Sequence, residues 1–348
     1  MKLLPKHWRR WLFILIILLL LTPFLFIRHA VNEITTPPRR PLQSYHQAIL
    51  DDPSKFAIKI EKFTASDGSP VLICTSNNPV LPNSRGAILR NQLLAEGRLL
   101  TQPHEIIGTL VLIHGRRGRK EDFLPMAERF CAIGFICVIP DLPAHGDHPE
   151  KLATYGIREA SLPAKILREA AIAHRFSPTP AGILGMSMGG SVAIHSIAEP
   201  STPWSAMVIL QSFDRFSPII ATQCDHQLGN TCGPMIFRSI ASGFQSRTGL
   251  PMASIHPAKI LSSSNIPTLI AHGTADRTIP ITSGKHLFDS LLATTPKRWI
   301  EVPDATHENI LITDYPLFAA ISGWLLDHVP ISSMPAAAPP APPANTTE

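Results

Sequence analysis

The stretch GILGMSMGG, residues 182–190, runs as an apolar strand-like segment that halts at Gly185, sets Ser187 between two methionines and closes on Gly189 and Gly190. The central five residues are G-x-S-x-G, which at a strand-to-helix junction makes a turn too tight for side chains at the flanking glycines. Such a turn strains the serine backbone and lifts its Oγ above the sheet, at a helix N-terminus with unpaired N–H groups. A serine hydroxyl is a weak nucleophile until a base takes its proton, so this chemistry demands a histidine and an orienting carboxylate elsewhere. In LIAHGTADRTIP, Asp276 falls just past one strand-like run, and in VPDATHENI, His307 falls just past the next. Both positions are loops at strand carboxyl ends, where open α/β sheets gather their sites. Asp304, three residues before His307, is a competing acid.

The elements that must position these groups are legible as alternating patterns. TLVLIH (109–114), FICVIPD (135–141), GILGMS (182–187), AMVILQ (206–211), IPTLIAHG (266–273) and KRWIEVP (297–303) read as strands. Helical patterns fall between them at 121–133, 157–176, after Ser187 to about 198, and at 283–292, with a last one at 316–328. Strand, helix, strand at this spacing predicts parallel βαβ units, and the continuous apolar runs predict helices on both sheet faces. Residues 213–264 break the rhythm and predict a lid or a small inserted subdomain. Residues 76–105 are expected to elaborate an early antiparallel hairpin. No internal repeat is visible.

The formal charge of +5 is misleading about partners, because the first 40 residues hold seven Lys/Arg against Glu33 alone, leaving 24 Lys/Arg and 25 Asp/Glu in the rest. A near-neutral body carries no basic footprint for nucleic acid. Lys2, Lys6, Arg9 and Arg10 precede an uncharged apolar run from Trp11 to Ile27. At ~1.5 Å per residue the run spans about 25 Å against a hydrocarbon core of ~30 Å, a span the flanking residues extend. The run ends FLFIRHA, without the small residues a signal peptidase reads, so an uncleaved transmembrane anchor is expected over 1–34. The positive residues ahead of the run place the body on the non-cytoplasmic side, periplasmic or extracellular. A linker follows over 35–55, and a disordered Pro/Ala-rich tail over 330–348. Of five cysteines, Cys74, Cys131 and Cys137 lie in apolar segments, whereas Cys224 and Cys232 sit in a polar stretch and are a candidate disulfide.

On LIHGRRG, DLPAHGDH, GMSMGG and the pair HGTADRTIP and ATHENI, in that order, the chain resembles the α/β-hydrolase superfamily over about 109–326, with most similarity to the serine aminopeptidase and dienelactone-hydrolase-like groups. The resemblance implies an α/β-hydrolase fold over 56–329: a mostly parallel central sheet, helices on both faces and a small lid insertion, preceded here by the transmembrane helix. It implies Ser187 as nucleophile, His307 as general base and then acid, and Asp276 as the carboxylate that orients the imidazole. Oxyanion donors are then expected from the backbone N–H groups of Met188 and Arg116. No cofactor is implied. His145, Asp147 and His148, which have the look of metal ligands, become part of a structural loop after a strand; His226 beside Asp225 is likewise not expected to bind metal, and His114 and His272 are expected to be structural.

Arg116, Arg117, Arg119 and Lys120 cluster at the rim of the expected site. They are read as a solvated loop, or, through Arg117, as a contact for an anionic substrate group. Phe213 and Phe216 in the lid stretch either line an acyl pocket or pack the insert onto the core. The leading expectation is a serine hydrolase of carboxylic esters working through an acyl-enzyme, on a small-molecule ester or short peptide. A serine peptidase uses the same three residues, but needs an acid for the substrate amine, and Asp225 is the only one between Asp214 and Asp276. A non-catalytic protein that kept the fold is the third class.

Overall fold

In the computed structural model, residues 8–77, 80–200, 202–312 and 316–329 are described; the side chains at 9 and 16–20 and the tail from 330 onward, expected to be disordered, lie outside the described residues. An antiparallel hairpin of β1 (Ile58–Thr64) and β2 (Pro70–Ser76) precedes β3 (Gly108–Ile113), β4 (Phe135–Pro140), β5 (Ala181–Met186), β6 (Trp204–Leu210), β7 (Thr268–Gly273) and β8 (Lys297–Val302). They form one sheet in the order β1-β2-β4-β3-β5-β6-β7-β8. β2 meets β4 antiparallel, and every pairing from β4 to β8 is parallel. The central strands alternate between two cores: Val111, Ile183, Ile209 and Ile270 face one layer, Leu110, Leu184, Val208 and Leu269 the other. Both faces are therefore covered, which is why these strands read as unbroken apolar runs.

The helices are α1 (Trp8–Thr35), α2 (Ser44–Asp51), α3 (Arg85–Ala95), α4 (Leu124–Ala132), α5 (Leu162–His174), α6 (Met188–Ser196), α7 (Phe216–Thr248), α8 (Pro257–Leu261), α9 (Ile281–Ser290) and α10 (Leu317–His328). The stretch expected as a lid is chiefly α7, one long helix with a kink at Gly229 (φ 74°, ψ 164°) and Pro234 just beyond it. Cys224 and Cys232, which flank that kink, are not joined: both thiols are free, Cys224 buried and Cys232 exposed.

The N-terminal region differs most from expectation. Among the described residues, no helix is long and apolar enough to cross a membrane. The apolar run instead forms the first part of α1, and the second half of that helix docks on the body. Val31 and Ile34 are buried in the same core as the lid residues Phe216, Ile240 and Phe244. The Ala153 N–H donates to the Thr35 carbonyl at 2.9 Å, and the Tyr155 hydroxyl to the Ile34 carbonyl at 3.0 Å. Arg247 at the end of α7 donates to the Asn32 side chain and to Thr36 Oγ1. The first half is unlike this: Trp11 is 69% and Phe13 66% exposed. Nor is 35–55 a simple linker. Arg39 donates to the carbonyls of Gly146 and His148 at 2.9 and 2.6 Å, and α2 buries His46 and Ile49. The polar residues after the apolar run, which look like the start of a spacer, are here partners for groups on the body.

The α1–α7 contact is close enough that a Cβ at Gly243 would stand 2.7 Å from Val31 Cγ2. Replacing Gly243 with leucine must therefore push α1 off α7. Overpacking of this kind costs about 1–3 kcal/mol, and we expect Gly243→Leu to lower the urea midpoint accordingly at an unchanged m-value. An unaltered midpoint would mean that α1 is not held there.

Candidate active site

Ser187 lies between β5 and α6 with φ 55° and ψ −119°, a backbone geometry that costs energy in any residue with a side chain. Crowding on both sides holds it there. A Cβ at Gly185 would overlap the Gly189 carbonyl, and one at Gly189 would overlap the carbonyls of Ile113 and His114 at the end of β3. The elbow is pinned further by the Ser187 N–H donating to the Leu210 carbonyl at 2.8 Å and by Ser212 Oγ donating to the Ser187 carbonyl at 2.8 Å. The steric reason for the glycines, read from the sequence, is thus visible atom by atom.

The loops after β7 and β8 bring Asp276 and His307 to this elbow. His307 Nε2 lies 3.0 Å from Ser187 Oγ, and His307 Nδ1 lies 2.7 Å from Asp276 Oδ2. Asp276 is itself fixed, since its Oδ1 accepts from the N–H groups of Thr278 and Ile279 at 2.8 and 2.9 Å. Burial would push its carboxyl up, but hydrogen bonds from His272 and His307, the charge of His307 and the Ile279 N–H outweigh that and hold it well below the usual carboxylate range. Asp276 is therefore a lasting negative charge beneath the imidazole. His272, fully buried, donates from Nε2 to the Ile279 carbonyl at 2.9 Å while lying 3.4 Å from Asp276 Oδ2. Asp304 forms no hydrogen bond or ion pair with His307 among the described residues and stands exposed, its N–H donating to Thr274 Oγ1.

Two residues that sequence reasoning missed steady the histidine loop. Gln211, buried at the end of β6 with φ 47°, donates from Nε2 to the Thr306 carbonyl at 2.7 Å, and Asn309 Oδ1 accepts from the Thr306 N–H at 2.7 Å. Gln211 closes AMVILQ, and a glutamine ending a strand of apolar residues is the signal that was there to be read.

Met188 opens α6, so its N–H belongs to the helix end beside Ser187. Arg116 follows Gly115, whose Cα hydrogen faces Ser187 so closely that an added Cβ would lie 3.3 Å from the Ser187 Cβ. The Gly118 N–H donates to the Gly115 carbonyl at 3.0 Å and folds the loop back, with Arg117 at φ 62°. Behind this loop His114 donates to the Gly115 carbonyl and accepts from the Leu142 N–H, and burial lowers its pKa to about 4, so it stands neutral. His145 donates to the Pro143 carbonyl, and burial takes its pKa down to about 3. His148 bonds Ser69 Oγ at 2.9 Å, and Asp147 is engaged by Lys120 and Arg119. Among the described residues, no three or more His, Cys, Asp or Glu groups are arranged to hold a metal.

The rim charges divide: Arg116 and Arg117 are exposed, whereas Arg119 and Lys120 are buried in ion pairs. Lys120 is buried against Asp141 Oδ2 and Asp147 Oδ2, 2.7 Å from each, and Arg119 pairs with Glu121 at 2.5 Å. Arg117, expected to contact substrate, is not among the residues lining the cavity; it pairs with Glu33 of α1. Arg116 does line the cavity, and its guanidinium lies 3.5 Å from the same Glu33 carboxylate.

A cavity of about 370 Å³ opens above Ser187. Phe213, Phe216, Ile219 and Ile220 line it from the lid side, and Phe213 and Phe216 are also buried in the core. The facing wall was not foreseen: it is α1, through Phe26, His29, Ala30, Glu33 and Ile34.

Residues 110–321, more than half of the chain, match the model of the alpha/beta hydrolase family. The chain belongs to that family. Among curated proteins, this hydrolase is similar to a monoacylglycerol lipase of Mycolicibacterium smegmatis, 23% identical over an aligned length of 258 residues, with 64% of this chain and 89% of the relative covered. Among solved structures, its fold is shared by an esterase of Pyrococcus furiosus (TM-score 0.59, 14% identity, 85% of this chain and 98% of that one). A thermophilic esterase of Thermogutta terrifontis, with butyrate bound, also shares it (TM-score 0.54, 14% identity, 80% and 97%).

The depressed acidity of Asp276 has a stability signature in this hydrolase. A carboxyl whose folded pKa lies below its unfolded value of ~3.9 stabilises the fold at all pH above that value and loses this contribution as pH falls through and below it. The stability difference between the wild type and Asp276→Asn should stay constant from pH 7 to about pH 5 and then shrink toward pH 3, as read by urea unfolding at each pH. A difference that grows on acidification contradicts the assignment.

Proposed function

We propose that the chain is a serine esterase. Ser187 attacks the ester carbonyl as His307 Nε2 takes its proton; His307 then protonates the departing alcohol, and water activated by the same imidazole releases the acid from the Ser187 acyl-enzyme. Asp276 holds the ring in the tautomer that leaves Nε2 open toward Ser187 and stabilises the imidazolium that forms. The Met188 and Arg116 N–H groups receive the oxyanion, a contribution of about 3 kcal/mol for each donor in such sites. The observation that carries this reading is the unbroken series Ser187 Oγ to His307 Nε2 at 3.0 Å and His307 Nδ1 to Asp276 Oδ2 at 2.7 Å. A lipase and esterases among the similar proteins support the choice of ester as the bond cleaved.

A peptidase reading gains an acid it lacked in the sequence, because Glu33 lines the cavity. Glu33 is engaged by both Arg116 and Arg117, however, and is poorly placed to receive a substrate amine. Asp225, the only acid between Asp214 and Asp276, is not among the lining residues. Both points favour esters. The exposed apolar half of α1, with Lys2, Lys6, Arg9 and Arg10 near it in sequence, supports association with a membrane surface.

The decisive experiment is labelling of the full-length protein by a fluorophosphonate probe. Wild type should label and Ser187→Ala should not; a folded wild type that stays unlabelled sinks the reading. In steady-state assays, Asp276→Asn should lower kcat by roughly 10³–10⁴-fold, the size of effect that follows from the wrong imidazole tautomer. An ester hydrolysis rate that survives this change places the orienting acid elsewhere.

A further inference from the structure

The cavity has a polar end and an apolar course. At Ser187 it is bordered by Arg116 and by Glu33 near the C-terminal end of α1, which that arginine fixes in place. From there, Ile34, Ala30 and Phe26 recur at every fourth position and put one face of α1 along the cavity. Ile34 to Phe26 covers eight residues, or about 12 Å of helix. On the opposite side, Phe216, Ile219, Ile220, Gln223 and Cys224 of α7 run along the same space at helical spacing. N-terminal to Phe26, α1 exposes its apolar residues: Leu25 is 52% and Phe24 58% exposed. The channel between α1 and α7, which His29, Gln223 and Gln227 also line, thus starts at the reactive hydroxyl and follows α1 toward its exposed apolar half.

Resting on the esterase reading, we infer that α1 is the wall of the acyl-chain site, and that the substrates are long-chain acyl esters drawn from a lipid bilayer contacted by the exposed half of α1. A short acyl group needs no 12 Å channel of isoleucine, alanine and phenylalanine, whereas a long one leaves little of it wet. The bilayer is the occupant that the charges favour. Lys2, Lys6, Arg9, Arg10 and Arg28 are the only charged residues before Glu33, and this matches the anionic headgroups of a lipid surface. The acyl chain then lies parallel to the helix that holds the enzyme at the lipid, and its carbonyl arrives beside Ser187 at the end held by Arg116 and Glu33.

The test uses the full-length protein and p-nitrophenyl esters from butyrate to palmitate. Wild type should turn over palmitate, and in Ala30→Trp, which fills the channel midway, the palmitate-to-butyrate ratio of kcat/KM should fall at least about tenfold, the scale on which an apolar pocket discriminates by size. The ratio is taken within one preparation, so partial misfolding cancels. Phe26→Trp, at the far end, should cut only the longest chains. A wild type inactive on palmitate, or ratios unmoved in both variants while butyrate hydrolysis still requires Ser187, overturns this inference and leaves the esterase reading standing. Butyrate hydrolysis that persists in Ser187→Ala defeats the esterase reading itself. For the lipid contact, wild type should float with phosphatidylcholine–phosphatidylglycerol vesicles and the double variant Phe13→Asp, Leu25→Asp should not. A wild type that stays with the soluble fraction, or self-associates in place of floating, overturns the delivery route.

Discussion

A turn with no room for a Cβ on either side is the constraint from which the rest of the site follows. Gly185 is pressed on Gly189, and Gly189 on the carbonyls that end β3, so the chain can pass from β5 into α6 only with Ser187 at positive φ. That geometry is unfavourable by itself and persists because the sheet around it leaves no alternative. It also sets the hydroxyl above the carboxyl ends of the strands, where the loops after β7 and β8 can reach it. One helix, one strand and 31 positions separate Asp276 from His307, yet neither needs a long excursion, since parallel neighbours deliver their loops to the same edge.

Strain at the serine is matched by rigidity around its partners. Asp276 receives two backbone N–H groups, and a buried imidazole, that of His272, stands behind it, so its charge is oriented before any substrate arrives. Gln211 at the end of β6 and Asn309 in the loop itself fasten Thr306, next to His307, from two directions. A site arranged in this way spends little energy on reorganisation when charge develops, which is the condition under which fixed dipoles act most strongly.

Much of this was legible in the chain because it is local. The strand runs, the G-x-S-x-G elbow, the acid past β7 and the histidine past β8 each declare themselves within a dozen residues, and the chain order ties them together. What was illegible depends on pairs far apart in sequence. Arg117 and Glu33 are 84 positions apart, and Arg247 and Asn32 are 215. Read alone, RRGRK looks like a charged rim and the run from Trp11 to Ile27 like a segment separate from the fold. Each takes its meaning from a partner that only the fold supplies, as does Glu33, an acid that a scan of the lid stretch could not find. The cysteines failed for the related reason that spacing says nothing of facing: the kink at Gly229 leaves Cys224 buried and Cys232 in solvent.

The contact between Val31 and Gly243 carries a consequence for how the molecule comes into being. α1 cannot take its final place when it is made, because the surface it packs on is completed only when α7 has been made, some two hundred residues later. Throughout that interval the face that will border the cavity is without its cover. The closing of the cavity along α1 therefore waits on α7, and rests on two helices far apart in the chain rather than on the elbow that bears the serine.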